Sequence, residues 1–147
     1  MRYKITVEYE GTHLVGWQKQ KDGASAQEFL EKAILGFSHQ AAEVFGAGRT
    51  DAGVHALAQV AHFDLDADLS EYKIVESLNA LLRELQAPVS VLQAEKVSDD
   101  FHARFSAVGR GYIYRILNRR GPSPLLVDRV WRVPYPLDID AMRQGAA

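Results

Sequence analysis

The feature that most constrains the fold is the order in which two kinds of hydrophobic periodicity follow each other. Large apolar side chains stand at every second position from Tyr3 to Tyr9, which predicts a half-buried strand. After a loop over residues 12–23, Ser25 and Glu28 form a capping box, which predicts the start of a helix. Apolar residues then recur at helical spacing: Phe29, Leu30, Ala33, Ile34 and Phe37.

The same reasoning predicts four further elements. Short strands are expected over Glu43–Gly48 and Leu57–Leu65, and a second helix begins at Ser70. Its apolar face comprises Ile74, Val75, Leu78, Leu81, Leu82 and Leu85. A fourth strand is expected over Val89–Val97. The order β-α-β-β-α-β predicts an α+β protein with a ferredoxin-like sheet.

The pattern changes after Phe101. A strand is expected over Arg110–Leu117, a turn at residues 121–124, and a return strand over Arg129–Val133. These elements predict a β-hairpin that extends the ferredoxin-like core.

We therefore expect two parts, a ferredoxin-like subdomain over 1–101 and an incomplete second subdomain over 102–147. Asp138 is expected to cap a helix, and the sequence stops at Ala147 soon after that helix begins. We interpret the chain as part of something longer.

Composition and charge exclude several classes of protein and of site. No apolar run reaches the ~18 residues that span a bilayer, and the N-terminus lacks a signal peptide, so we expect a cytoplasmic protein without a membrane partner. There is no cysteine, which excludes disulfides and thiolate metal sites. Residues 1–101 carry 9 Lys and Arg against 16 Asp and Glu, whereas residues 102–147 carry 8 Arg against 3 Asp. The basic second part is either a surface that binds nucleic acid or a solvated face.

The densest group of chemically capable residues lies between the second and third predicted strands, at Gly46-Ala47-Gly48-Arg49-Thr50-Asp51-Ala52-Gly53-Val54-His55-Ala56. It is neither a dinucleotide fingerprint nor a P-loop. It offers a carboxylate at Asp51 and a guanidinium at Arg49, which can hold a phosphate or pair with that carboxylate. Asp51 can act as a nucleophile, a general base or a salt-bridge partner. The structural alternative is that Asp51 begins a type I turn.

Two other groups of residues carry less specific patterns. The five histidines show no metal-binding spacing and are interpreted as ordinary polar residues, without a metal site. The segment 110–114 resembles the start of an RNA-recognition motif, in which aromatic side chains stack on bases. Tyrosines that alternate along a strand are also common where they only pack against neighbouring side chains.

Taken together, these segments resemble the tRNA pseudouridine synthase A family. The nonapeptide Gly48–Ala56 carries the resemblance most specifically, and matching segments run in order along essentially the whole chain. They are Tyr9-Glu10-Gly11, Gly16-Trp17-Gln18, Gln27, Asn79, Phe101-His102-Ala103-Arg104-Phe105-Ser106-Ala107, and Tyr112 with Tyr114.

The resemblance implies conversion of uridine to pseudouridine at positions 38–40 in the anticodon stem-loop of tRNA, by a homodimer without a metal or an organic cofactor. Asp51 matches the catalytic aspartate, the nucleophile. Arg49 matches the adjacent arginine and Tyr112 the active-site tyrosine. Thr50, Arg104 and Arg110 are the further substrate-binding candidates.

The resemblance also implies a longer protein, whose second half supplies more strands and a basic residue that pairs with the aspartate. Three hypotheses follow: an RNA-modifying isomerase centred on Asp51, a non-catalytic RNA-binding module, and a structural fragment that folds or dimerises without RNA.

Overall fold

A computed structural model describes residues 1–146, which divide into two compact units, one over Met1–Arg110 and a second that begins at Gly111. The first unit contains β1 (Arg2–Tyr9), α1 (Ala26–Ser38), β2 (Phe45–Gly46), β3 (Ala56–Asp64), α2 (Glu71–Glu84) and β4 (Val89–Val97). Its four strands form one sheet in the order β2-β3-β1-β4, and every neighbouring pair is antiparallel. The predicted mixed α and β class is confirmed, with an antiparallel sheet.

The core joins buried side chains of β1, β3 and β4 with those of the two helices. The alternation along β1 has the predicted consequence: Tyr3, Ile5, Val7 and Tyr9 are all buried, whereas their neighbours along the strand are not. The helices supply the other side of the core through buried side chains at helical spacing. These are Leu30, Ala33 and Ile34 from α1, and Ile74, Leu78 and Leu82 from α2.

A capping hydrogen bond confirms each of the two predicted helix starts. The Ser25 hydroxyl accepts from the Glu28 amide at 3.2 Å, and the Ser70 hydroxyl accepts from the Lys73 amide at 3.2 Å. These caps satisfy amide groups that have no partner inside the helix. None of the helices among residues 1–146 is both long enough and apolar enough to cross a membrane.

The second unit contains β5 (Ile116–Asn118), a 3-10 helix (Pro124–Leu126), β6 (Trp131–Val133) and α3 (Ile139–Gly145). The Asp138 carboxylate caps α3, as predicted, by accepting from the amides of Asp140 and Ala141.

The predicted β-hairpin is wrong, because β5 and β6 run parallel. Two parallel strands require a crossover of about a dozen residues. The connection over 119–130 has that length and contains the 3-10 helix, so it is a crossover and not a tight turn.

The predicted strand over Arg110–Leu117 is also largely wrong, since only Ile116 and Leu117 of that range lie in β5. Tyr112, Ile113 and Tyr114 are all more than 70% exposed. Alternation forms a strand only where a neighbouring strand accepts its hydrogen bonds, and β5 pairs over three residues alone.

The boundary expected after Phe101 lies earlier in the chain than the observed division. Residues 102–110 belong to the first unit and are bound to the rest of it by two hydrogen bonds. The Ala103 amide donates to His62 Nδ1 at 3.2 Å, and Arg110 Nε donates to the Ala47 carbonyl at 2.9 Å.

Candidate active site

The candidate site is the connection between β2 and β3, residues 47–55, called here the Asp51 loop. Arg49 and Asp51 are both exposed. Within residues 1–146, neither side chain makes a hydrogen bond or an ion pair, so they do not pair with each other. The carboxylate and the guanidinium are thus both available to a ligand.

Thr50, between them, is bound inward. Its hydroxyl lies 2.8 Å from the Tyr9 hydroxyl, and its carbonyl accepts from the Trp17 amide at 3.1 Å. Tyr9 and Trp17 are 4% and 2% exposed and stack obliquely on each other. Because both partners belong to the core, the backbone next to Asp51 is held at a fixed position.

The Asp51 loop also lies directly against the backbone of residues 11–16, where glycines permit the approach. A Cβ atom at Gly16 would stand 2.3 Å from the Thr50 carbonyl oxygen, and one at Gly11 would stand 2.1 Å from the Val54 carbonyl oxygen. Gly16 also has a φ of +107°, which L side chains rarely adopt. These two positions need glycine so that the loop can pack.

The structural alternative for Asp51 is partly correct. The Val54 amide donates to the Asp51 carbonyl at 3.2 Å, so Asp51 begins a turn. Gly53, the third residue of that turn, has a φ of +81°, which is characteristic of type II and not of type I. The turn uses the carbonyl of Asp51 and leaves its carboxylate exposed.

The end of the loop is anchored through His55. Its Nδ1 accepts from the Gly11 amide at 2.9 Å and lies 3.3 Å from a Glu10 carboxylate oxygen. The same Glu10 oxygen accepts from the Thr12 amide and hydroxyl. The loop is therefore held near both ends as well as at Thr50.

Of the other predicted substrate-binding residues, the structure connects Arg110 to the start of the loop. Its Nε donates to the Ala47 carbonyl, and its Nη2 donates to the Arg104 carbonyl at 2.8 Å. The Arg104 side chain is exposed and makes no hydrogen bond or ion pair among the described residues. Tyr112 belongs to the second unit and is 75% exposed.

The interpretation of the histidines as ordinary polar residues is wrong for His62, whose side chain is buried, with the residue only 2% exposed. Its ring stacks on Phe45 at a centroid distance of 5.1 Å and meets His102 edge-on at 4.7 Å. Burial lowers the pKa of His62 to about 4, with a further contribution from the nearby charge of Arg2. The neutral ring can therefore accept the hydrogen bond from Ala103.

Tyr9, Trp17 and Gln59 are the supporting residues for which sequence reasoning assigned no role in the site. Gln59 Nε2 donates to the Gly48 carbonyl at 2.8 Å. The alternation along β1 predicts that Tyr9 is buried but not which group its hydroxyl binds. Contacts between residues so distant in sequence have no local signal.

Comparison with known proteins shows the family of the chain. A family model described as tRNA pseudouridine synthase matches residues 5–106, which include the whole Asp51 loop. The chain is 52% identical over 145 residues to the tRNA pseudouridine synthase A of Rhodospirillum centenum, 50% identical over 145 residues to that of Parvibaculum lavamentivorans, and 51% identical over 146 residues to that of Ehrlichia canis.

Each of these alignments covers 99% of the chain, and the chain spans 58–59% of the length of these curated relatives. The family model alone covers well over half of the chain. The chain therefore belongs to the tRNA pseudouridine synthase family.

Proposed function

We propose that the protein isomerises uridine to pseudouridine in tRNA, with the Asp51 carboxylate as the nucleophile. The observation that carries this proposal is an exposed carboxylate without a protein partner among the described residues, on a loop whose backbone is anchored to the core through Tyr9 and Trp17. Its relatives from three organisms carry the name tRNA pseudouridine synthase A.

The reaction breaks the bond between C1′ of the ribose and N1 of uracil and forms a bond between C1′ and C5. The C5 proton is lost and N1 gains a proton, so no oxidant or reductant is required. An ionised carboxylate can add to C1′ or to the base, or take a proton from the sugar. Each route needs the uracil out of its stack and beside the Asp51 carboxylate.

Arg49 and Arg104 are the proposed contacts to the RNA backbone. Both guanidinium groups are exposed and without a protein partner among the described residues, so they can bind phosphate oxygens without breaking existing bonds. Tyr112 is the proposed aromatic partner of the base, because an exposed ring can stack on it. The side-chain groups of Thr50 and Arg110 are already bound within the first unit, and Thr50 contributes by holding the backbone beside Asp51.

The finer features of the family resemblance belong to the same proposal. The substrate is the anticodon stem-loop at positions 38–40, the active form is a cytoplasmic homodimer, and neither a metal nor an organic cofactor takes part. The first unit is ferredoxin-like, an assignment supported by its β-α-β-β-α-β order and by the sheet order β2-β3-β1-β4.

A second candidate is RNA binding without catalysis. It is favoured by the guanidinium groups of Arg49 and Arg104, which are exposed and without a protein partner among the described residues and can bind phosphate whether or not Asp51 reacts. On this alternative the exposed arginines bind tRNA, and the Asp51 carboxylate takes no part in a reaction.

Tritium release from tRNA labelled at C5 of uridine tests the proposal, with this chain and a longer form of the protein measured side by side. Asp51→Asn keeps the shape and removes the charge, so turnover is expected to fall by a factor on the order of 10³ or more, while tRNA binding is retained. The matched control is Asp66→Asn, an exposed carboxylate beyond the opposite end of β3. Substantial turnover in Asp51→Asn would exclude the nucleophile assignment. Release by the longer form alone would favour the second candidate for this chain.

A further inference from the structure

Arg110 joins two segments of the first unit through main-chain carbonyls. Its Nε donates to the Ala47 carbonyl at 2.9 Å and its Nη2 donates to the Arg104 carbonyl at 2.8 Å. Ala47 is the first residue of the Asp51 loop, two positions before Arg49. A single guanidinium thus connects the loop to the segment over residues 101–106.

The Ala47 peptide is bound on both sides. Its amide donates to the Val60 carbonyl of β3 at 2.7 Å, and its carbonyl accepts from Arg110. Gly46 and Gly48 flank this residue, and glycine gives a backbone more freedom than any other residue. External hydrogen bonds are therefore needed to fix the direction in which the chain leaves β2 toward Asp51.

The segment on the other side of Arg110 is a suitable anchor because it is itself fixed. Ala103 is 2% exposed, and its amide donates to the buried His62 ring. The Ser106 amide donates to the His102 carbonyl at 2.7 Å, and the His102 amide donates to the Ser106 hydroxyl at 3.0 Å. These bonds close a tight turn around Arg104.

The chemistry of the side chain suits this role. A guanidinium presents several N–H groups in a rigid planar fork, so it can donate to two carbonyls in different directions at once. A lysine carries the same charge on a single flexible ammonium, which cannot reproduce that fork. A phosphate contact made by Arg110 would be detected through its charge, which a lysine keeps and a glutamine removes.

We propose that Arg110 is a positioning residue that fixes the start of the Asp51 loop against the 101–106 segment, and that it does not contact phosphate. Only the consequence for catalysis rests on the proposed function. The restraint of the loop by Arg110 does not depend on it. The two interpretations of Arg110 predict different results: the positioning is lost in a lysine variant, which lacks the fork, and a phosphate contact is lost in a glutamine variant, which lacks the charge.

Hydrogen exchange of the 147-residue chain tests the restraint without any activity. In Arg110→Lys, the amides of Ala47 and Val54 are expected to exchange roughly tenfold faster, since a hydrogen bond from a charged donor is removed. Amides in the middle of α2 serve as the internal reference and should not change. The matched control is Arg104→Lys, whose guanidinium makes no bond among the described residues and whose loop amides should exchange as in the unsubstituted chain.

Binding and turnover measurements complete the test. The slope of log affinity for tRNA against log salt is expected to be unchanged in Arg110→Gln and to fall by roughly 0.7–0.9 in Arg104→Gln. In a longer, active form, Arg110→Lys should lower the single-turnover rate while the tRNA affinity stays the same. Loop exchange in Arg110→Lys equal to that of Arg104→Lys, or a reduced slope in Arg110→Gln, would overturn the inference. Faster loop exchange in a protein that never forms pseudouridine would support the restraint and contradict the proposed function.

Discussion

The two units differ in what holds their backbones in place. The first unit has a continuous core, in which side chains such as Tyr3, Ile34 and Leu78 are fully buried. In the second unit no described residue from Gly111 to Ala146 is buried, and Trp131 is 58% exposed. Its elements are joined by local bonds, for example from the Asn118 side-chain amide to the Val133 carbonyl at 2.9 Å. Stability is thus concentrated in the first unit, on which the Asp51 loop is built.

The largest expected effect comes from removing a core side chain of the first unit. Leu78→Ala leaves a cavity between α2 and the sheet, and the free energy of unfolding should fall by about 2–5 kcal/mol. The matched change in the second unit is Leu125→Ala, at a side chain that is 88% exposed. It should alter the free energy of unfolding by less than about 0.5 kcal/mol. Urea unfolding followed by circular dichroism measures both.

Equal losses of stability from Leu78→Ala and Leu125→Ala would contradict this difference between the units, because they would mean that Leu125 is buried in solution. A loss confined to Leu78→Ala would support it.

The second expected effect is a dependence of stability on pH that originates in the first unit. The pKa of His62 is lowered to about 4, chiefly by burial and also by Arg2 and His102, whereas the nearby charge of Asp64 acts in the opposite direction. Between pH 6.5 and 4 the unfolded chain therefore binds a proton that the folded chain does not, so stability falls as the pH falls. The His62 contribution to this loss is about 3 kcal/mol, and it levels off below pH 4, where the folded chain also binds the proton.

His62→Phe provides the control for that pH dependence. The variant lacks the bond from the Ala103 amide, so it is less stable at pH 7, but it has no proton to bind at position 62. Its free energy of unfolding should change less steeply between pH 6.5 and 4 than that of the unsubstituted chain. The same slope in both proteins would contradict the assigned role of His62.

The contrast between the units also explains which parts of the fold could be predicted from the sequence. In the first unit, alternation along β1 and the caps at Ser25 and Ser70 are local signals, and packing reinforces each of them. In the second unit, the alternation of Tyr112 and Tyr114 is equally clear but has no neighbouring strand to pair with among the described residues. A local pattern cannot report whether such a partner exists.

The residues of the candidate site also differ in whether the sequence could predict them. Asp51 and Arg49 could be selected from one continuous segment, because a glycine-rich stretch with an acid and a base is visible in the sequence. The bonds that hold Thr50 and Ala47 come from Tyr9 and Arg110, which are distant in sequence. Residues of this kind become recognisable only after the chain has folded.

The third expected effect compares two glycines. Gly16→Ala combines a φ of +107° with a Cβ atom 2.3 Å from the Thr50 carbonyl oxygen, so we expect it to destabilise the first unit by about 1–3 kcal/mol and to disturb the Asp51 loop. Gly111→Ala meets no atom within 4 Å and should be neutral or slightly stabilising. Thermal unfolding gives the two values, and a neutral Gly16→Ala would show that the loop does not pack on Gly16 in solution.

The smallest expected effect tests whether the second unit, which contributes little to stability, contributes to RNA binding. Arg119 and Arg120 are exposed, and the Arg119 guanidinium donates to the nearby carbonyls of Gly121 and Pro122. Replacing both arginines by Ala should leave the unfolding midpoint unchanged and should lower the slope of log affinity for tRNA against log salt by roughly 0.7–0.9 for each phosphate that is no longer bound. Lys73→Ala, at an exposed position on α2, is the control and should leave that slope unchanged. If the double variant and Lys73→Ala give the same slope, Arg119 and Arg120 form a solvated face, and tRNA is bound through Arg49 and Arg104 of the first unit.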